Sequence, residues 1–278
     1  MRAFLASPIG FLIGLSLGAL GGGGSILAVP ALVYVAGQDA KSAVATSLFV
    51  VGFASLVGLG PHWRAGRVRV GTGLAFGIVG IGGSLLGSAL NRRLEPDLLL
   101  LGFSGLVVIA AWRMLTGCPT CTQVGEQAAL RQPVAHPHPT GIGSVALHSV
   151  ATLQPRAALT VLAAGSAVGF LTGLFGVGGG FVIVPALTLA LKLPMPQAIG
   201  TSLLVIAINS AVALSARFAT TSIDWKITAP FTVSAVAGVI AGGRISGSLN
   251  PKRSLRMFAG LLVAVAAYTA ISATIGLA

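Results

Sequence analysis

Two glycine-rich runs contain the residues of this chain that are best suited to bind a ligand. They span Gly18–Leu32 and Gly173–Leu187, and each ends in Pro-Ala-Leu. Glycine weakens a helix and proline removes a backbone donor, so both runs interrupt the apolar stretches that contain them. An opened backbone exposes consecutive N–H groups and the positive end of the following half-helix, which are donors for an anion. The candidates in the two runs are Gly22, Gly23, Gly24, Ser25, Gly178, Gly179 and Gly180.

The same glycines have a structural alternative, because glycine also lets membrane helices approach each other closely. One run alone would favour that alternative. Two runs, each followed by a proline, favour discontinuous membrane helices whose opened backbone faces a binding site.

Hydroxyl and amide side chains follow each run. Thr46-Ser47 and Thr201-Ser202 lie near the start of the next apolar stretches, where their hydroxyls could complete a shell around an oxyanion. The alternative is that they bond the backbone of their own helix, which is the commoner fate of such residues. Asn209 lies further along, and a buried amide needs partners. It is a candidate for a one-sided substrate contact or for a bond between helices.

The composition indicates a membrane protein. Only 8% of the 278 residues are charged and the mean hydropathy is +0.95, whereas soluble proteins carry about 25% charged residues. The net charge of +12 comes from basic residues in short loops, so it favours anchoring to anionic lipid rather than nucleic acid. The five acidic residues lie in loops or at the ends of apolar stretches, which argues against a cation carrier with a carboxylate at the membrane midplane.

Eight apolar stretches indicate an all-α polytopic membrane protein. The first and fifth contain the glycine runs. The stretches lie near residues 8–36, 42–60, 70–90, 98–115, 157–191, 198–218, 227–249 and 255–277.

The two halves of the chain match at a constant offset of 155 residues without a gap. Gly18 matches Gly173, Pro30 matches Pro185, and Thr46-Ser47-Leu48 matches Thr201-Ser202-Leu203. Such self-similarity predicts two internal repeats. We therefore divide the chain into a first membrane repeat (1–115), a Cys/His/Pro-containing loop (116–156) and a second membrane repeat (157–278).

The basic residues bear on the topology. If all eight stretches cross the membrane, the 17 basic residues divide nine to eight between the two sides. If the first and fifth stretches turn back at their glycines, the division is six to eleven, which obeys the positive-inside rule better. We therefore predict a re-entrant first stretch and three transmembrane helices in each half, with inverted halves, a cytoplasmic central loop and both termini outside. Each arm of the turn would be about ten residues long.

The repeated G-x-x-G-x-G-G-G-x-x-x-x-P-A-L, followed by Thr-Ser in the next stretch, resembles the sulfite exporter TauE/SafE family of membrane permeases. The resemblance covers nearly the whole chain apart from the central loop. It implies a bacterial-type inner-membrane permease for sulfite, sulfonates or other small organic anions. Val177 in place of a glycine, and Ser25 opposite Gly180, make the two runs unequal.

We therefore expect a secondary transporter for a small anion that works by alternating access, without a cofactor or enzymatic activity. Cys118 and Cys121 with His136 and His138 leave two alternatives open: a membrane thiol oxidoreductase, or a metal-ion permease with a metal-sensing loop. A loop with reduced thiols is favoured over both because the spacing is irregular for zinc. Assembly into a homo-oligomer is left open.

Overall fold

The computed structural model describes residues 2–38, 40–91, 155–175, 180–217, 224–248 and 256–264, a few residues between 102 and 116, and residue 267. Regular structure in these parts of the chain is helical. The predicted central loop lies almost wholly outside the described residues, so the division into three segments stays a prediction.

Eight α-helices carry the architecture of the described parts. In chain order the elements are α1 (Arg2–Leu20), a 3₁₀ turn (Gly22–Gly24), α2 (Ser25–Tyr34), α3 (Ala40–Arg64), α4 (Val70–Asn91), α5 (Pro155–Phe175), α6 (Gly180–Pro185), a π-helical turn (Ala186–Ala190), α7 (Met195–Arg217) and α8 (Trp225–Ser248). Residues 256–264 are also helical.

Four described helices are long and apolar enough to cross a membrane. The spans are Ser42–Arg64, Val70–Gly87, Met195–Ser215 and Trp225–Ile245, in α3, α4, α7 and α8. They coincide with the second, third, sixth and seventh predicted stretches, while the fourth and eighth lie mostly outside the described residues. The apolar parts of α1 and α5, Ser7–Leu20 and Leu159–Leu174, are shorter than the roughly 20 residues of a full crossing.

Helix α1 packs along α8 through glycines of both helices. Gly14 and Gly18 lie against the backbone carbonyls of Ala235 and Val239, where a Cβ atom would not fit. Gly238 and Gly242 of α8 lie in the same way against the carbonyls of α1. Small residues at such a seam let two membrane helices approach to backbone contact.

Helix α4 packs along α5 in a second seam of the same kind. Gly169 and Gly173 of α5 lie against the carbonyls of Gly80 and Ser84. Gly83 and Gly87 of α4 approach the carbonyls of α5 in return. Each glycine in this seam is 155 residues from a glycine with the corresponding contact in the α1–α8 seam.

The contacts also give the directions of the helices. Contacts of α1 and α3 with α8 advance together along both chains. Gly14 and Gly18 of α1 meet Ala235 and Val239, and Thr46 and Gly58 of α3 lie beside Thr228 and Val239. Helices α1, α3 and α8 therefore run in one direction. Helix α7 runs oppositely to α3, since Gly52 lies beside Ser210 and Gly58 beside Leu203.

The core lies where α2, α6 and α7 meet the end of α1. Fully buried apolar side chains fill it, including Leu17, Leu32, Ile183, Leu187, Ile199, Leu203 and Ile206. Large apolar side chains such as Leu85, Leu86 and Val233 instead stay about 70% exposed on α4 and α8. An apolar outer surface of this kind suits a protein surrounded by lipid.

The second glycine run leads into a different backbone from the first. Helix α2 is regular over ten residues, whereas α6 passes at Pro185 into the π-helical turn. The Thr188 hydroxyl donates to the carbonyls of Val184 (3.0 Å) and Pro185 (3.1 Å) near this widened turn. Such turns occur often at functional sites.

Candidate functional site

The first glycine run makes a sharp turn between α1 and α2. Gly21 has φ 80° and ψ −115°, a left-handed conformation that favours glycine. Its N–H still donates to the Leu17 carbonyl at 2.8 Å, so α1 ends at this residue. A Cβ on Gly21 would also lie 2.7 Å from Ser202 Oγ of α7. The turn therefore requires glycine for its conformation and for its contact with α7.

The 3₁₀ turn that follows leaves buried backbone donors. The Ser25 N–H and the Ser25 hydroxyl both bond to the Gly22 carbonyl, the hydroxyl at 2.7 Å. In a 3₁₀ turn each N–H bonds three residues back, so the N–H groups of Gly22 and Gly23 have no acceptor within the turn. Gly22, Gly23, Gly24 and Ser25 are all buried. The start of α2 thus supplies donors and the positive end of a helix dipole in one place.

The first turn meets the start of α6 at two glycines. A Cβ on Gly22 would overlap the carbonyl group of Gly180. A Cβ on Gly180 would lie 2.5 Å from Ser25 Oγ and 3.1 Å from the Ile206 side chain. Because Ile206 is near the middle of the Met195–Ser215 span, Gly180 lies beside the middle of this apolar helix.

The other predicted glycines have different surroundings. Gly23 faces the Phe258 ring and the end of the Leu261 side chain, and Gly24 packs against the Ile13 carbonyl of α1. Gly178 and Gly179 lie outside the described residues. The structure therefore brings Gly22, Ser25 and Gly180 together, while Gly24 holds α2 against α1.

The two predicted threonines are fully buried and have different partners. Thr201 Oγ1 accepts the backbone N–H of Arg69 at 3.1 Å, and the Arg69 Nε donates to Gln197 Oε1 at 3.2 Å. Thr46 Oγ1 lies 3.5 Å from Thr228 Oγ1. Since the Thr228 hydroxyl donates to the Asp224 carbonyl at 2.8 Å, Thr46 is the donor of that pair.

The two predicted serines donate to their own helices. Ser47 Oγ bonds the Val44 carbonyl at 2.9 Å and Ser202 Oγ bonds the Ile199 carbonyl at 2.8 Å. This is the structural alternative that the sequence left open. Ser202 lies beside Gly21 at the first turn, but its proton is engaged, so only its lone pairs face the turn in this conformation.

Asn209 lies on α7 opposite α4. Its Oδ1 is buried without a hydrogen-bond partner among the described residues and lies 3.9 Å from the position that a Cβ on Gly77 would take. A buried amide oxygen without a donor is costly, so Asn209 stays a candidate contact for a ligand with a donor group.

The metal and thiol candidates fall outside what the structure describes. Cys118, Cys121, His136 and His138 all belong to residues without a described placement. Within the described parts, no group of three or more His, Cys, Asp or Glu residues is arranged to hold a metal ion.

Comparison with known proteins decides the family. The model of the sulfite exporter TauE/SafE family matches residues 6–269. The chain belongs to this family. A probable membrane transporter protein from Xylella fastidiosa (strain 9a5c) is 32% identical over 262 residues, which cover 93% of this chain and 91% of that protein.

Further relatives come from other organisms. The probable membrane transporter protein YunE of Bacillus subtilis is 25% identical and covers 89% of this chain and 86% of its own length. The probable membrane transporter protein MJ0441 of Methanocaldococcus jannaschii is 25% identical over 73% of this chain and 67% of its own length. No solved structure matches the chain.

The TauE/SafE chain is thus an integral membrane protein of a transporter family. The relatives are named as transporters rather than enzymes, and the four apolar spans agree with a place in a bacterial-type plasma membrane. The relatives' names give no substrate, so the family membership fixes the class of activity and not the cargo.

Sequence reasoning on this TauE/SafE chain missed two contributors. Arg69 and Thr228 bond the two threonines, and no sequence pattern marked them, because both contacts join residues more than 130 positions apart.

Proposed function

We propose that this TauE/SafE protein is a secondary transporter for a small anion, with sulfite or an organosulfonate as the preferred class of substrate. The observation that carries the proposal is the contact of Gly22 with Gly180 beside the middle of the α7 span, next to backbone donors that have no acceptor within their turn. The family description names sulfite, and the site chemistry fits its oxygen atoms.

Donors at this place would bind an anion strongly. In a low-dielectric interior a hydrogen bond to a charged oxygen is worth more than in water. The N–H groups of Gly22 and Gly23 and the start of α2 all contribute positive potential. Asp224 is the one carboxylate that the described residues contain, and it is exposed at the start of α8. No described acid therefore opposes an anion at the centre.

We further propose that the two halves are inverted repeats. The two glycine seams have corresponding contacts at residues 155 apart, and α3 and its counterpart α7 run in opposite directions. Helices α1 and α3 both run parallel to α8 and thus start on the same side, which supports a re-entrant α1–α2 hairpin. Its arms are unequal, since α1 has 19 residues and α2 has ten.

Inverted halves suggest how the anion crosses. Rocking the α1–α8 pair against the α4–α5 pair, each of which contains one helix from each half, would expose the contact between the glycine turns first to one side and then to the other. The seams would move as rigid units because their backbones are in direct contact. The Gly22–Gly180 contact would then form the fixed centre of alternating access.

Thermal unfolding in detergent tests the anion site. The purified protein is heated with sulfite, thiosulfate, sulfoacetate, sulfate, acetate or chloride. An anion at about a hundred times its dissociation constant stabilises the folded protein by about 2.7 kcal/mol. We expect sulfite or a sulfonate to raise the unfolding temperature and chloride to leave it unchanged.

A matched pair of variants tests whether the anion that raises the unfolding temperature binds beside Ser25. Ser25→Ala removes the hydroxyl beside Gly180, and Ser215→Ala removes an exposed hydroxyl with the same kind of bond to the carbonyl three residues back. We expect Ser25→Ala to reduce the anion-induced shift and Ser215→Ala to retain it. Equal shifts in both variants, or no shift with any anion in the parent protein, would contradict the proposed site.

A further inference from the structure

The imidazole of His62 is buried at one end of the bundle. It lies in the last turn of α3 and is 2% exposed, and neither ring nitrogen has a partner among the described residues. Its neighbour Trp63 is 53% exposed. A polar ring is therefore buried one residue away from the protein surface. Removing its nitrogens from water costs free energy, which points to a functional role.

The loop between α3 and α4 closes over this ring. Its backbone folds back on α3, since the Arg67 N–H donates to the His62 carbonyl at 3.0 Å. The loop also presses on α7: a Cβ on Gly200 would lie 2.9 Å from the Arg67 carbonyl and 3.2 Å from His62 Cβ. The Arg69 N–H bonds Thr201, one residue further along α7. We call this contact of residues 65–69 with the start of α7 the loop–α7 contact.

The charged groups near His62 on the described elements are all basic. Arg64 lies on its own helix, and Arg67 and Arg69 lie on the loop, with Arg67 close enough to repel a charged ring. At this end α7 contributes the neutral Gln197, and α1 contributes the backbone of Gly18, which can serve only one of the two N–H donors of a charged ring. Arg244 lies in the last two turns of α8, at the same end.

A charged imidazole does not fit this arrangement. An imidazolium carries two N–H donors and needs acceptors or water, and a buried charge without a partner is strongly destabilising. Protonation therefore requires the ring to reach water. The simplest route is for the loop to move away from α7, a movement that repulsion between the ring and Arg67 would favour.

We infer that the loop–α7 contact is a gate whose opening is linked to protonation of His62. In the open state a proton from water at this face adds to the free ring nitrogen, and it returns to water when the gate closes. Acid at this face thus favours the open state. That this gate lies on the path of an anion rests on the proposed function. The movement of the gate itself does not require an anion.

Labelling of a cysteine under the gate tests the movement. Thr201→Cys, buried beneath Arg69, is made with both native cysteines changed to serine, and Ser215→Cys provides an exposed reference thiol. The labelling rate by a methanethiosulfonate reagent is expressed as the ratio of the two positions. We expect the ratio to rise severalfold from pH 8 to pH 6, by at most about tenfold per pH unit for one proton.

Two further variants assign the effect to His62. His62→Gln cannot take up a proton, so its ratio should stay low and flat between pH 8 and pH 6. Gly200→Ala adds a Cβ against the Arg67 carbonyl and should hold the gate open. Its labelling ratio should therefore be high at both pH 6 and pH 8. Gly60→Ala, on α3 with open space around the added Cβ, is the control and should behave as the parent.

The inference is overturned if the ratio is the same at pH 6 and pH 8 in the parent protein, or rises equally in His62→Gln. If His62→Gln does not fold, a flat and low ratio in Gly200→Ala overturns it instead. Flux of a sulfonate, whose charge is constant over this range, is measured in proteoliposomes alongside. A responsive gate without flux of any anion would count against the proposed function alone.

Discussion

The α1–α8 and α4–α5 seams each place four glycines against carbonyls of the opposite helix, at positions 155 residues apart. The polar contacts between the seams do not repeat in this way. Thr46 meets the Thr228 hydroxyl, whereas Thr201 accepts the Arg69 N–H. Position 73, which corresponds to Thr228, is a glycine. The packing of the two halves is therefore matched while their polar contacts differ.

This difference has a physical basis. A seam of backbone contacts tolerates no added atom, so glycine is required at each position in both halves. A hydroxyl can be satisfied by several partners, so equivalent threonines can take different ones. Two equal seams with unequal polar contacts would let the α1–α8 and α4–α5 pairs move alike while the two faces of the transporter are controlled differently.

The largest loss of stability is expected from a substitution at the Gly22–Gly180 contact. Gly22→Ala places a Cβ on the Gly180 carbonyl, and neither backbone can move without shifting α2 or α6. Overpacking costs about 1–3 kcal/mol and sometimes more, and we expect the upper end or failure to fold. Thermal unfolding measures it, with Gly82→Ala on α4 as the control because open space surrounds that added Cβ. Similar unfolding temperatures for the two variants would refute the central contact.

The second largest effect tests whether the α1–α8 and α4–α5 seams contribute equally to stability. Gly14→Ala and Gly169→Ala each direct a Cβ at a backbone carbonyl of the opposite helix. We expect both to lower the unfolding temperature, by amounts equivalent to about 1–3 kcal/mol that agree within about 0.5 kcal/mol. A loss in one variant and none in the other would show that the seams are not equivalent.

A smaller difference in stability is expected between substitutions of the two threonines, Thr46 and Thr201. Thr201→Val leaves the Arg69 N–H without its acceptor, which costs about 1–3 kcal/mol if the group stays buried. Thr46→Val removes only a long contact of 3.5 Å and should cost less than about 1 kcal/mol. Chemical denaturation of the two variants in detergent measures the difference. The reverse order would contradict the hydrogen bonds described above.

No effect is expected from replacing the two cysteines of the central loop. Replacing Cys118 and Cys121 together by serine should leave anion transport and the unfolding temperature unchanged, because the proposed path uses neither thiol. Loss of transport in the double variant, measured in proteoliposomes against the parent, would revive the oxidoreductase alternative. Metal-dependent transport that is lost in His136→Ala with His138→Ala would revive the metal-permease alternative.

Sequence reasoning reached the family and the helical membrane class because both depend on local patterns. Apolar stretches predicted the four described spans, and the paired glycine motif pointed to the TauE/SafE family before the comparison confirmed it. The partner of each glycine could not be predicted. Gly14 matches Gly169 in the sequence, but it packs against α8 of the other half, since inter-helix contacts depend on how the helices are placed in the membrane.

The site was harder to predict than the fold. Gly22 and Gly180, which the sequence analysis offered as substrate contacts, lie close together in the structure, and their role in binding stays a prediction. The orientation of each hydroxyl depends on side-chain rotamers and neighbours. Ser47 and Ser202 bond their own helices. In the sequence His62 stands beside Trp63 and close to Arg64, Arg67 and Arg69, a cluster typical of a membrane anchor, and only the fold shows that His62 is buried.

Counterflow of labelled sulfite in proteoliposomes tests the central claim most directly. Vesicles with the purified protein are loaded with unlabelled sulfite and diluted into a trace of labelled sulfite. The account predicts transient uptake above that of protein-free vesicles, competed by sulfonates, unaffected by chloride and reduced in Ser25→Ala but not in Ser215→Ala. No uptake of sulfite or any sulfonate by protein that unfolds cooperatively would contradict it.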